Sequence, residues 1–110
     1  MLAHDARKDR AEALHGAARF CRLKERYQQG FDLAKRGLLI KRPDNAFIPE
    51  DWIYEYGLLD EYAINAYWIG RYDECLKSCR KILGTATLAD ADRKRIQANA
   101  EFARQKLNSG

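Results

Sequence analysis

Apolar and polar positions alternate at helical spacing along nearly the whole chain. The densest stretch is Trp52 to Gly70, WIYEYGLLDEYAINAYWIG. Trp52, Tyr56, Leu59, Ala63 and Ala66 make one stripe, and Ile53, Leu58, Tyr62 and Ile69 make a second. Ile64, Tyr67 and Trp68 fill much of the remaining surface. A surface helix carries one apolar stripe, whereas a helix apolar on nearly every side is buried. Glu55, Asp60, Glu61 and Asn65 make this one too polar to span a membrane. The pattern therefore predicts a central helix held between neighbours on at least two sides.

The flanking segments supply those neighbours. A first helix is expected from about Asp5, a suitable N-cap, to Gln29. Leu14, Ala17, Ala18, Cys21 and Leu23 carry its apolar side, with Tyr27 near the end, and Gly30 is placed to stop it in a left-handed conformation. A second helix, FDLAKRGLLIK, buries Phe31, Ala34, Leu38 and the stem of Lys41. Gly37 within it costs about 1 kcal/mol relative to alanine, which points to a close helix–helix approach. Arg42-Pro43-Asp44-Asn45 breaks the chain, and Phe47 and Ile48 are candidate plugs under the loop. Pro49, followed by Glu50 and Asp51, is a strong start for the central helix. A fourth helix over 71–83 buries Tyr72, Cys75, Leu76, Cys79, Ile82 and Leu83, and Gly84 stops it. Thr87-Leu88-Ala89-Asp90 has the form of a capping box. It opens a last helix to about Leu107, striped by Ile96, Asn99, Ala100, Ala103 and Leu107. No segment alternates with period two, so no sheet is expected. The expected fold is all-α, five helices with antiparallel neighbours in one domain over 1–110. Helix pairs fall at about 5–41 and 50–84, with a capping helix at about 88–107.

Charge refines this picture more than composition does. At 46% hydrophobic and 33% charged, the chain has the balance of a folded globular domain rather than a disordered one. The net charge of +4 hides a strong segregation. Residues 43–70 hold six acids and no Lys or Arg, while the segments on either side are basic. An acidic central helix between basic ones attracts its neighbours, and the same pattern could line a charged groove. The opening residues, MLAHDARKDRAEA, lack the apolar core of a secretory signal, and the expected location is cytoplasmic.

Candidate chemistry is sparse. Three cysteines, Cys21, Cys75 and Cys79, are an odd number for a disulfide framework. Cys75 and Cys79 share a helix face and could offer two thiolates to zinc, but His4 and His15 have no matching spacing. Burial in the core is the expected role for all three. Glu50/Asp51 and Asp60/Glu61 are adjacent acids, which point apart on a helix and make no ready acid/base dyad. No phosphate-binding glycine loop follows a strand. Neither catalytic residues nor metal ligands nor a cofactor are expected.

The chain compares with itself at an offset of 41, which sets Phe31 on Tyr72, Asp32 on Asp73 and Ala34 on Cys75. The run Leu59-x-x-Tyr62-Ala63-x-x-Ala66-x-x-x-Gly70-x-Tyr72-x-x-Cys75-x-x-x-Cys79-x-x-Ile82 resembles a tetratricopeptide repeat. The period exceeds that family's usual length of about 34, so the resemblance is to a TPR-like unit. Glu50-Asp51-Trp52-Ile53-Tyr54, Gly57-Leu58-Leu59-Asp60-Glu61, Ala66-Tyr67-Trp68-Ile69-Gly70-Arg71-Tyr72 and Asn99-Ala100-Glu101-Phe102-Ala103 together are similar to helical repeat regions attached to some bacterial glycosyltransferases. These resemblances imply a right-handed stack of helix pairs, non-catalytic in itself, that binds a protein or peptide. Carried onto this chain, the concave side takes Arg19, Leu23, Arg26 and Tyr27 from the first unit. The second unit adds Asp60, Ile64, Tyr67 and Trp68, with burial in the core as the alternative for Tyr67 and Trp68. Two repeats are fewer than the three a solenoid usually needs, so a second copy or a neighbouring domain is expected to cover the open end. The rival expectation is nucleic-acid binding through the basic runs, such as Arg93-Lys94-Arg95. Those runs are spread over several helices, and the acidic centre opposes phosphate.

Overall fold

In the computed structural model, which describes residues 6–40, 56–84 and 88–109, helices follow one another without any strand among those residues. They are α1 (Ala6–Leu23), α2 (Tyr27–Leu38), α3 (Leu58–Trp68), α4 (Tyr72–Leu83) and α5 (Asp90–Asn108). Each packs along the next in the chain, and α3 also touches α1 and α5. Several expected features lie outside the described residues: Asp5, Lys41, the 42–45 break, Phe47 and Ile48, the Pro49 start, Trp52 and Ile53, and Thr87.

The boundary between the first two helices is not where glycine placement put it. α1 ends at Leu23, and Glu25, not Gly30, takes the left-handed backbone, with φ 60°. The Arg26 amide then donates to the Cys21 carbonyl at 2.7 Å, closing the helix end. The α3–α4 connection repeats this geometry. Gly70 has φ 84°, and the Arg71 amide donates to the Ala66 carbonyl at 2.8 Å. Arg26 (φ −96°, ψ 65°) and Arg71 (φ −92°, ψ 66°) have nearly the same backbone. The two units therefore correspond at an offset of 45 (26 to 71), not 41. This register pairs Ala18 with Ala63, Tyr27 with Tyr72, and Leu23 with Trp68. An offset of 41 would set the first residue of α2 on the last of α3.

Gly30 instead sits buried inside α2, against α3. A Cβ there would lie 2.6 Å from Asn65 Oδ1 and 2.8 Å from its Cγ. Gly37 makes the equivalent approach to Leu58, about two helix turns along the same face. These two glycines let α2 lie close on α3, the reason expected for Gly37. Leu38 is correspondingly turned out rather than buried.

The core runs through α3 on both sides. Phe31 of α2 stacks on Tyr62 of α3, ring centroids 4.5 Å apart, and the Arg71 guanidinium lies 5.6 Å from the Phe31 ring. The Tyr62 hydroxyl donates to Glu74 Oε2 on α4 at 3.1 Å. Burial first, and then this bond to a carboxylate, push the Tyr62 phenol up to about 12. Beyond it, Ala63, Ala66, Cys75, Cys79, Ile82, Leu88, Ile96 and Ala103 join α3, α4 and α5. The central helix is thus sandwiched, as its all-round apolar pattern requires.

The last helix also starts later than its expected capping box. Ala89 is the N-cap, in extended conformation, and Asp90 opens the helix. Asp90 and Asp92 in the first turn favour that start through the helix dipole. Arg93 Nη1 donates to the Leu83 carbonyl at 2.9 Å, which satisfies an end carbonyl of α4 and ties the two helices. Leu107 is exposed, so the buried side of α5 ends at Ala103.

Candidate functional site

α1, α3 and α5 present one continuous face with two recesses that meet at Ile64. The first is a polar trough of about 460 Å³, lined by His15, Arg19, Arg22, Tyr56, Asp60, Glu61, Ile64, Asp92 and Arg95. The second is an apolar cleft of about 160 Å³ between α3, α4 and α5. Its walls are Ile64, Tyr67, Trp68, Asn99 and Phe102, and Cys75 contributes to its lining.

Two bidentate ion pairs build the trough. Adjacent on α3, Asp60 and Glu61 diverge toward opposite neighbours, as the helical period dictates. Glu61, only 5% exposed, accepts from Arg22 Nε at 2.6 Å and Nη2 at 2.9 Å, which fixes α1 to α3. Asp60 accepts from Arg95 Nη1 at 3.0 Å and Nη2 at 2.7 Å, which fixes α5 to α3. Asp92 adds a second acid to Arg95 at 3.5 Å. The hydrogen bonds that the two guanidinium groups donate to these carboxylates hold both above their ordinary range. The segregation of acids in the centre and bases in the flanks is therefore realised as inter-helix pairing.

At the cleft, Trp68 is 59% exposed yet stacks on Tyr27 at 5.4 Å between ring centroids and meets Tyr67 edge-on at 5.3 Å. Tyr67 in turn meets Tyr72 edge-on. The result is an aromatic cluster with one open side. Of the eight residues assigned to the concave surface, Arg19, Asp60 and Ile64 line the trough, and Ile64, Tyr67 and Trp68 line the cleft. Tyr27 supports Trp68 from α2. Leu23 and Arg26 are exposed at the end of α1 and in the turn, and line neither recess.

Sequence reasoning missed the contribution of α5. Phe102 is 53% exposed and forms a cleft wall with Asn99. Its signal was available: a large aromatic lying off the Ile96–Ala103 core stripe. Arg22 and Arg95 were also missed, because the partner of a charge on another helix is not readable before the helices are placed.

Burial, the largest influence, holds the His15 imidazole below its ordinary range, while Glu61 and Asp60 pull it the other way. In the unfolded chain this histidine protonates near pH 6.5, and in the folded chain at a lower pH. Between those two points the unfolded state binds more protons, so stability falls as the pH is lowered through that window. The contribution is fully present above about pH 6.5. Urea midpoints measured from pH 7.5 to 5.5 are expected to decline, and His15→Gln to flatten the decline. An unchanged slope in the variant would remove His15 as its source.

Cys21, Cys75 and Cys79 are free and buried, the role their pattern suggested. The contact with Cys75 together with burial pushes the Cys79 thiol well up. Among the described residues, no three His, Cys, Asp or Glu side chains gather as a metal site, and no helix is long and apolar enough to cross a membrane. Comparison of the chain with family models, curated proteins and solved structures returns no match.

Proposed function

We propose that the chain is a non-catalytic, TPR-like interaction module whose α1–α3–α5 face receives a peptide or helix of a partner protein. The observation that carries this reading is the open aromatic cleft at Trp68, continuous through Ile64 with a trough of fixed charges. Large exposed aromatics beside polar groups of set geometry are the usual anchors of protein recognition. Helix pairs with matching tight turns support the TPR-like description, and a role as the helical tail of a glycosyltransferase-like chain is proposed from the resemblance of the sequence runs alone. Nucleic acid suits this face less well. Asp60, Glu61 and Asp92 line the trough, and Arg22 and Arg95 are already bound to acids.

Selection of random 12-residue peptides on the immobilised domain tests the reading. The wild type is expected to enrich a family of peptides that Trp68→Ala does not. That substitution removes the stack on Tyr27, which costs about 1 kcal/mol, and leaves the fold intact because Trp68 is mostly exposed. Equal enrichment by both proteins, or global unfolding of Trp68→Ala by circular dichroism, would count against the proposal.

A further inference from the structure

We infer that the outer side of α1 is a self-association seam, on which the α1 of a second copy lies antiparallel. The seam is Ala13, Gly16, Phe20 and Leu23, one exposed stripe turned away from the buried Ala11, Ala18 and Cys21. Phe20 is 55% exposed and Leu23 58%, and a Cβ on Gly16 would meet nothing within 4 Å. The repeat shows what such a stripe does when it is covered. At the offset of 45, positions 13, 16, 20 and 23 fall on 58, 61, 65 and 68 of α3. There Leu58 lies against Gly37, Asn65 against Gly30 and Trp68 on Tyr27, all three partners being on α2. On α3 this side receives the preceding helix, and on α1 it is open to solvent.

The seam complements itself. In the α2–α3 contact, side chains of one helix sit over glycines of the other. The α1 seam carries both halves of that arrangement, bulk at Phe20 and Leu23 and little or none at Ala13 and Gly16. Two copies crossing antiparallel near Gly16 bring Phe20 of each over Ala13 of the other. Charge sets the direction. Asp9 and Glu12 flank the N-terminal half of the seam, and Arg19 and Lys24 flank its C-terminal half. Antiparallel copies set Asp9 against Lys24 and Glu12 against Arg19, each twice by symmetry, whereas parallel copies set like charges side by side. Arg10 lies off the seam, on the side of Arg36 of α2. The opposite end of the stack has no such stripe. The outward residues of α5, Lys94, Ala98, Glu101 and Gln105, are exposed and mostly polar. One open side meeting its own copy closes as a twofold dimer, whereas two different open sides would build a filament. α1 has 18 residues and is about 27 Å long. A single helix-on-helix contact of that length is smaller than a standard interface, so the dissociation constant expected is on the order of 50 µM.

Sedimentation equilibrium of the full chain, from about 5 to about 500 µM, tests the pairing. The wild type is expected to pass from monomer to dimer over that range, with no larger species. Phe20→Glu places a charge in the seam and is expected to weaken the dimer by about tenfold or more. Its circular dichroism is expected to match the wild type, because Phe20 is exposed. Asp9→Lys is expected to weaken the dimer about fivefold, and Asp9→Lys combined with Lys24→Asp to restore it. Cross-linking reads the direction independently. Under air oxidation Gly16→Cys is expected to give disulfide-linked pairs and Leu23→Cys none, since only residues near the twofold axis meet their own copies. A monomer at every concentration, or a dimer indifferent to Phe20→Glu, would overturn the second copy as the occupant of the seam. Linkage through Leu23→Cys, or a double charge swap that fails to restore the dimer, would overturn the antiparallel pairing. Species larger than a dimer would overturn the twofold closure.

Discussion

Arg22→Ala is expected to destabilise the domain by about 3 kcal/mol, the lower part of the range for breaking a buried ion pair. The physical source is Glu61 rather than the arginine. Its carboxylate is almost wholly buried and takes both of its strong bonds from Arg22. Removing the guanidinium leaves an anion in a poorly solvated place, beside Asp60, with α1 no longer fixed to α3. Water admitted through the open trough recovers part of the loss, which is why the upper end of the range is not expected. Replacing both partners, as Arg22→Met with Glu61→Leu, removes the stranded charge, so the double variant is expected to be more stable than Arg22→Ala alone. Urea denaturation of the three proteins measures this. Equal midpoints for wild type and Arg22→Ala would mean that Glu61 is solvated and the pair superficial.

Gly30→Ala is expected to cost about 2 kcal/mol, although alanine is the better helix former by about 1 kcal/mol. The new methyl would meet three side-chain atoms of Asn65 at 2.6, 2.8 and 2.9 Å. Asn65 is fully buried, and its Nδ2 donates to the Glu61 carbonyl at 2.8 Å, so the amide has no free direction in which to yield. Overpacking of this kind typically costs 1–3 kcal/mol, beyond the gain in propensity. A thermal midpoint lower by roughly 10 °C is the expected readout for a domain of this length. Asn65→Ala in the same chain vacates the space, and the pair of substitutions is expected to cost less than the sum of the two. Additive losses would show that the two residues do not clash.

Much of the fold was legible because it rests on periodicity. The all-round apolar pattern of residues 58–68 can be satisfied only between neighbours, and α3 has them on both sides. The cysteines were read as core from their place on apolar stripes, and they are buried. What escaped was decided by local backbone choices that composition disguises. Glu25 adopts a conformation usually left to glycine, so the nearby Gly30 attracted the helix end that belongs five residues earlier. That single displacement moved the repeat from 45 to 41, and hid the matching Arg26-Tyr27 and Arg71-Tyr72 pairs. At the candidate site, Tyr67 and Trp68 were reached by carrying the TPR-like frame along the central helix, with burial in the core as the alternative. Phe102 and Arg95 belong to the same face only because α5 folds back beside α3, a fact of tertiary packing.

The most direct test of the α1–α3–α5 face is nuclear magnetic resonance mapping of peptides selected on the wild-type domain. The chain has two tryptophans, so the indole signal of Trp68 can be assigned by its loss in Trp68→Ala. Titration is expected to move that signal together with the amides of Arg19, Ile64, Tyr67 and Phe102, leaving Lys35 and Arg80 on α2 and α4 in place. Shifts centred on α2 and α4, with the Trp68 indole unmoved, would contradict the assignment of this face as the docking surface.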